Sequence, residues 1–82
     1  MPVLRVLNAR GDTSVAWDAR AFATGDPEAR AAVAEAERIF ATARAAGAEA
    51  FRLRDGSPAE RLLVLDPTVD EDVVVIPRMV GG

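Results

Sequence analysis

The apolar positions of this chain recur first at strand spacing, then at helix spacing, then at strand spacing again. Val3-Leu4-Arg5-Val6-Leu7 is a strand candidate, closed by Asn8-Ala9-Arg10-Gly11-Asp12, whose Asn, Gly and Asp favour a turn. Thr13-Ser14-Val15-Ala16-Trp17-Asp18 follows, with Thr13, Val15 and Trp17 on one face and Ser14 and Asp18 on the other. Together they read as an N-terminal hairpin. Between residues 19 and 25 the pattern is weak: Asp18 can cap a short turn through Phe22, Gly25 breaks it, and Phe22 is assigned to the core.

A long helix is predicted over residues 27–46. Asp26 suits the N-cap, Pro27 the first helical position, and Glu28 places negative charge near the positive end of the dipole. Ala29, Val33, Ala36, Phe40 and Ala43, with Ile39 beside them, follow helical spacing, while Arg30, Glu35, Glu37, Arg38 and Arg44 point elsewhere. Gly47 supplies the stop. Such a helix is roughly 30 Å long and crosses a small sheet; its alanine stripe allows close approach.

Strand spacing returns in Ala48-Glu49-Ala50-Phe51-Arg52-Leu53-Arg54, with Phe51 and Leu53 assigned to one side and Arg52 and Arg54 to the other. Asp55-Gly56-Ser57-Pro58 is a loop, and Arg61-Leu62-Leu63-Val64-Leu65 the returning strand. Asp66 to Asp72 is an acidic connection that lacks the glycine and distal glutamate of a calcium-binding helical hand, and is assigned to a solvated loop. Val73-Val74-Val75-Ile76 is a last strand, stopped by Pro77, which has no backbone donor. The order strand, strand, helix, strand, strand, strand predicts an α+β fold in which one sheet buries one face against one helix.

Composition narrows the functions open to it. The 82 residues bound a single domain with no room for a deep enclosed cleft. Half of them are apolar, but alanine supplies many, so the core is assigned to the larger strand residues with Trp17, Phe22, Ile39, Phe40 and Phe51. A net charge of -3 with no basic run argues against nucleic acid as a primary partner. No stretch has membrane-spanning length and no leader pattern opens the sequence, so a cytoplasmic protein without a membrane partner is expected. Cysteine and histidine are absent, which removes thiolates, the commonest zinc ligands and the usual general base; no enzyme, no bound metal and no resident cofactor are expected. Lysine is absent too; a GC-rich genome explains that, as does a protein that benefits from offering no side-chain amine. Arg10-Gly11-Asp12 matches a cell-adhesion tripeptide, but glycine and aspartate are expected in a turn there in any case.

The remaining chemistry is at the end of the sequence. After Pro77 come Arg78, Met79, Val80, Gly81 and Gly82, and two residues without Cβ make a narrow peptide. A Gly82 carboxylate can enter a slot that rejects branched residues, which suits activation by a partner that adenylates it. A frayed terminus has the same composition. The expected organisation is a domain over residues 1–77 and a flexible tail over 78–82.

This element order with this tail resembles the β-grasp fold of ubiquitin and of the sulphur-carrier proteins of molybdopterin and thiamine biosynthesis, which implies one mixed sheet of four to five strands with one long helix packed across it. Asp70-Glu71-Asp72-Val73-Val74-Val75-Ile76-Pro77 is similar to the molybdopterin carriers, which often have a second proline where this chain has Arg78; ubiquitin has an arginine at that distance from its end. Arg78, the arginine-flanked helix and the lack of lysine make the chain look closer to the ubiquitin-like proteins of bacterial conjugation operons than to a molybdopterin carrier. The resemblance implies that Gly82, with Gly81 beside it, is the acyl donor, and that Pro77, Arg78, Met79 and Val80 are read by an activating enzyme that uses ATP and Mg. It implies a conjugating enzyme, a deconjugating protease and target proteins as further partners. A sulphur carrier ending in a thiocarboxylate and a non-covalent β-grasp adaptor are the alternatives. If Val73 and Val75 face the helix, Val74 and Ile76 face away and form an apolar partner patch near Arg52 or Arg54.

Overall fold

A computed structural model of the chain describes residues 1–7 and 13–77. The elements are β1 (Val3–Val6), β2 (Thr13–Ala16), α1 (Ala19–Ala23), α2 (Pro27–Ala45), β3 (Glu49–Leu53), β4 (Glu60–Leu62) and β5 (Asp72–Ile76). The architecture is α+β: a mixed five-stranded sheet in the order β2-β1-β5-β3-β4, with α2 packed across one face. β1 and β5 run parallel at the centre, and the other pairings are antiparallel. The turn expected at residues 8–12, with its Arg10-Gly11-Asp12 motif, lies outside the described residues, as does the tail over 78–82.

Local chemistry sets the helices. Asp18 accepts hydrogen bonds from the backbone N–H groups of Arg20 and Ala21, both at 3.0 Å, so the expected short turn closes as the single-turn helix α1. Gly25 follows at φ +86°, a left-handed conformation that side chains disfavour. Asp26 accepts from Ala29 N–H at 2.9 Å, Pro27 opens α2, and Gly47 at φ +93° turns the chain out beyond it. The 19 residues of α2 span about 28 Å.

Ala29, Val33, Ala36 and Phe40 of α2 are buried, with Ile39 and Ala43 packed at the margin. Beneath them lie Leu4, Ala50, Val73 and Val75, all buried. Trp17 is 2% exposed and donates its indole N–H to the carbonyl of Pro67 at 3.0 Å, joining the end of β2 to the loop before β5. Phe22 packs at the edge of this core as a partly buried anchor.

Three sequence expectations are corrected. Phe51 and Leu53 do not enter the core. Ala50 stands opposite Val75 on the helix side, and alternation sends Phe51 and Leu53 to the outer face, Leu53 being 45% exposed. Ala36 of α2 and Ala50 of β3, both fully buried in the same core, are the small side chains that this part of the helix–sheet contact holds. The strand expected over residues 61–65 pairs only over Glu60–Leu62. β3 begins at Glu49, and the N–H of Ala48 is already bonded to Ala43 O at 3.0 Å, so the chain past Leu62 loses its ladder partner. Leu63 and Val64 turn outward and Leu65 returns to the core. Finally, the acidic connection is not merely solvated. Asp66 accepts from Thr68 N–H and hydroxyl at 3.0 and 2.6 Å, Asp70 lies 3.4 Å from the Met1 amine, Glu71 is paired with Arg52 and Arg54, and Asp72 accepts from Val3 N–H at 3.1 Å.

Candidate functional site

β5 positions everything around the candidate site. It has a backbone neighbour on each side, Leu4–Val73, Arg5–Val74 and Val6–Val75 toward β1 and five pairs toward β3, from Glu49–Ile76 to Leu53–Asp72. A one-residue slip would turn Asp72 inward along with Val74 and Ile76 and break the bond from Val3 N–H to Asp72, so the register is held by that carboxylate as well as by both neighbours. Val73 and Val75 are therefore fixed under α2, and Val74 and Ile76 fixed on the outer face.

Register then names their neighbours. One row crosses all five strands on the outer face: Ser14, Arg5, Val74, Phe51 and Arg61. Val74 and Phe51 form its apolar centre and the two arginines bracket it. The adjoining rows add Ile76 beside Glu49 on the side toward Pro77, and Leu53 beside Asp72 on the other. Ile76 is 42% exposed, so a partner covering Ile76 and Leu53 gains on the order of 1 kcal/mol from each. Glu49 Oε2 sits 2.9 Å from Arg61 Nε and 4.0 Å from Arg44 at the end of α2, which ties the tail end of the sheet to the helix.

The arginines expected beside this patch are elsewhere. Arg52 is opposite Val73 and so on the helix side, where it bonds Glu60 and lies 2.9 Å from Glu71 Oε2 through its Nε. Neither Arg52 Nε nor Glu71 Oε2 has a well-directed hydrogen bond, so that contact is held by charge. Arg54 donates to Glu71 Oε1 at 3.0 Å. The bond from Glu60 holds the Arg52 guanidinium above its ordinary pKa, with burial opposing and the nearby carboxylates assisting. These groups pin β3, β4 and the start of β5 together at the sheet end away from Pro77.

Sequence reasoning missed Phe51, Leu53, Arg5 and Arg61 as members of the face. The signal was present: an alanine stripe on α2 calls for small residues beneath it, and Ala48-x-Ala50 is the only such alternation in the third strand. Asp66 is held below the usual carboxylate range, first by the Thr68 hydroxyl and then by its backbone N–H. It lies in the connection to β5 and orders a turn. Among the described residues no group of three or more acidic side chains is placed to hold a metal ion, and no helix is long and apolar enough to cross a membrane. The face presents an apolar strip between guanidinium groups, on the strand that leads to Pro77. Gly81, Gly82, Arg78, Met79 and Val80 lie outside the described residues, and Pro77 is exposed at their boundary. Family models, curated proteins and solved structures give no match to this chain.

Proposed function

We propose that this chain is a ubiquitin-like modifier with a β-grasp fold, whose Gly82 carboxylate is adenylated by a partner and joined to a nucleophile on a target protein. The observation that carries the reading is the position of β5: the last strand lies at the sheet centre, locked on both edges, and runs directly into Pro77-Arg78-Met79-Val80-Gly81-Gly82. The element order with β1 and β5 parallel and one helix across the sheet supports the β-grasp assignment. ATP and Mg belong to the activating partner, and the chain contributes the acyl group. A mature chain ending at Gly82, by synthesis or by cleavage, is what the reaction requires. Arg78 then offers a charged, bidentate contact four residues from the reacting carbon. The outer face around Val74 and Phe51 is the surface for non-covalent partners.

The test is mass spectrometry of an N-terminally tagged protein recovered from its native cells. Trypsin cuts after Arg78, so a modifier leaves Met79-Val80-Gly81-Gly82 on target peptides, and deleting Gly81 and Gly82 abolishes the adduct. A terminal thiocarboxylate instead identifies a sulphur carrier. A free carboxylate alone, with the cognate activating enzyme and ATP present, overturns both and leaves a non-covalent adaptor.

A further inference from the structure

Where β4 leaves the sheet, Leu63 and Val64 stand 68% and 75% exposed, one after the other. They form one wall of a groove of about 310 Å³ whose other wall is α2, through Glu37, Phe40, Ala41 and Arg44, with Leu65 behind. Its lining shares no residue with the row Ser14, Arg5, Val74, Phe51 and Arg61 on the outer sheet face. Adjacent large apolar side chains at such exposure, beside an apolar groove, mark a contact surface more often than scattered exposed residues do.

The charges on the helix wall indicate the occupant. Glu37, Ala41 and Arg44 follow one stripe at i, i+4 and i+7, and the midpoint between Glu37 and Arg44 falls between Phe40 and Ala41. The stripe is therefore negative on one side of its apolar centre and positive at about the same distance, roughly 5 Å, on the other. A partner segment of uniform charge would be attracted at one end and repelled at the other. A second copy related by a two-fold axis through that centre is attracted at both. Glu37 has no ion-pair partner among the described residues; Arg44 uses Nη1 to hold Ala48 O at 3.1 Å, with Glu49 Oε2 at a long 4.0 Å from the same nitrogen, and its other terminal nitrogen has no partner among them. Ala41 lets two helices approach closely at the axis.

We propose that this face is an isologous dimer interface. The α2 helices of two copies run antiparallel, each Glu37 meets the second copy's Arg44, and Leu63 and Val64 of each copy close over the helix of the other. Self-complementarity of one patch is what two-fold symmetry requires.

Sedimentation equilibrium on the full chain tests it. The expected result is a reversible monomer–dimer equilibrium that L63S/V64S abolishes. E37R and R44E are each expected to weaken it about tenfold, since each turns two attractive contacts into repulsive ones. An equimolar mixture of E37R and R44E recovers the dimer, because one copy then carries two positive charges and the other two negative. Recovery on mixing separates lost pairing from lost folding, and far-UV circular dichroism of the exposed-site variants checks the helix. A wild-type chain that is monomeric up to about 1 mM, where association is worth less than about 4 kcal/mol, overturns the proposal. So does a dimer that is indifferent to both charge reversals, or one that mixing fails to restore.

Discussion

The sharpest test of the packing is to enlarge Ala36. It is fully buried at the centre of α2, among Leu4, Val33, Ala50 and Val75. Leucine adds three carbons. If room existed for them, burial at about 0.8 kcal/mol per carbon would stabilise the fold by roughly 2.4 kcal/mol. If α2 lies on the sheet at alanine distance, the same carbons push side chains off their rotamers and cost about 1–3 kcal/mol. The two cases differ in sign. Ala34 is exposed on the same helix, and Ala34→Leu has the same intrinsic helix cost, with an expected effect within about 0.5 kcal/mol. Urea denaturation of wild type, Ala36→Leu and Ala34→Leu, followed by circular dichroism, gives the difference. In a domain of this size a 2 kcal/mol loss lowers the melting temperature by about 8–16 °C. A stabilised Ala36→Leu would refute the close approach, and with it the reason for placing Phe51 on the outer face.

Asp26→Ala removes the acceptor for Ala29 N–H at the start of α2 and is expected to cost about 1 kcal/mol in the same denaturation assay, with Asp26→Ser recovering most of it; equal losses for both would sink the capping role. Acidification acts through Asp66. Its folded pKa lies below its unfolded value of about 3.9, so its contribution is present above that value and is lost as pH falls through the folded one. Thr68→Ala removes the hydroxyl bond and should bring the Asp66 carboxyl closer to its ordinary range in an NMR titration. An unchanged titration would show that the hydroxyl is not the cause.

Periodicity made α2 legible almost residue by residue, because its caps and its apolar stripe agree: Asp26, Pro27 and Gly47 bound the same segment that Ala29 to Ala43 define. The last strand was legible for a similar reason, since β-branched residues end at a proline. Phe51 was misassigned because size was taken as the mark of burial, whereas the space under an alanine-rich helix selects the small side chain. The run from Leu62 to Leu65 read as one strand because composition does not reveal where the neighbouring strand begins. That limit is set by the backbone of Ala48, which is committed to closing the end of α2. At the candidate site, alternation placed Val74 and Ile76 on one face, and the burial of Val73 and Val75 makes it the outer one. Arg5 and Arg61 required the register between strands distant in sequence, which turns and long-range pairing determine.

The central position of β5 has a consequence for how the molecule comes to exist. Until β5 is in place, β1 with β2 and β3 with β4 are two ribbons with no backbone bond between them, and the parallel pairing that joins them links the two ends of the domain in sequence. Contacts between such distant parts of a chain form late. A ribosome must release nearly all of the domain before its sheet can close, because the strand that completes the core is the last in sequence. Under the function proposed above, correct assembly and chemical readiness become a single event, because a chain without β5 in place has no folded domain behind its Gly82 carboxylate.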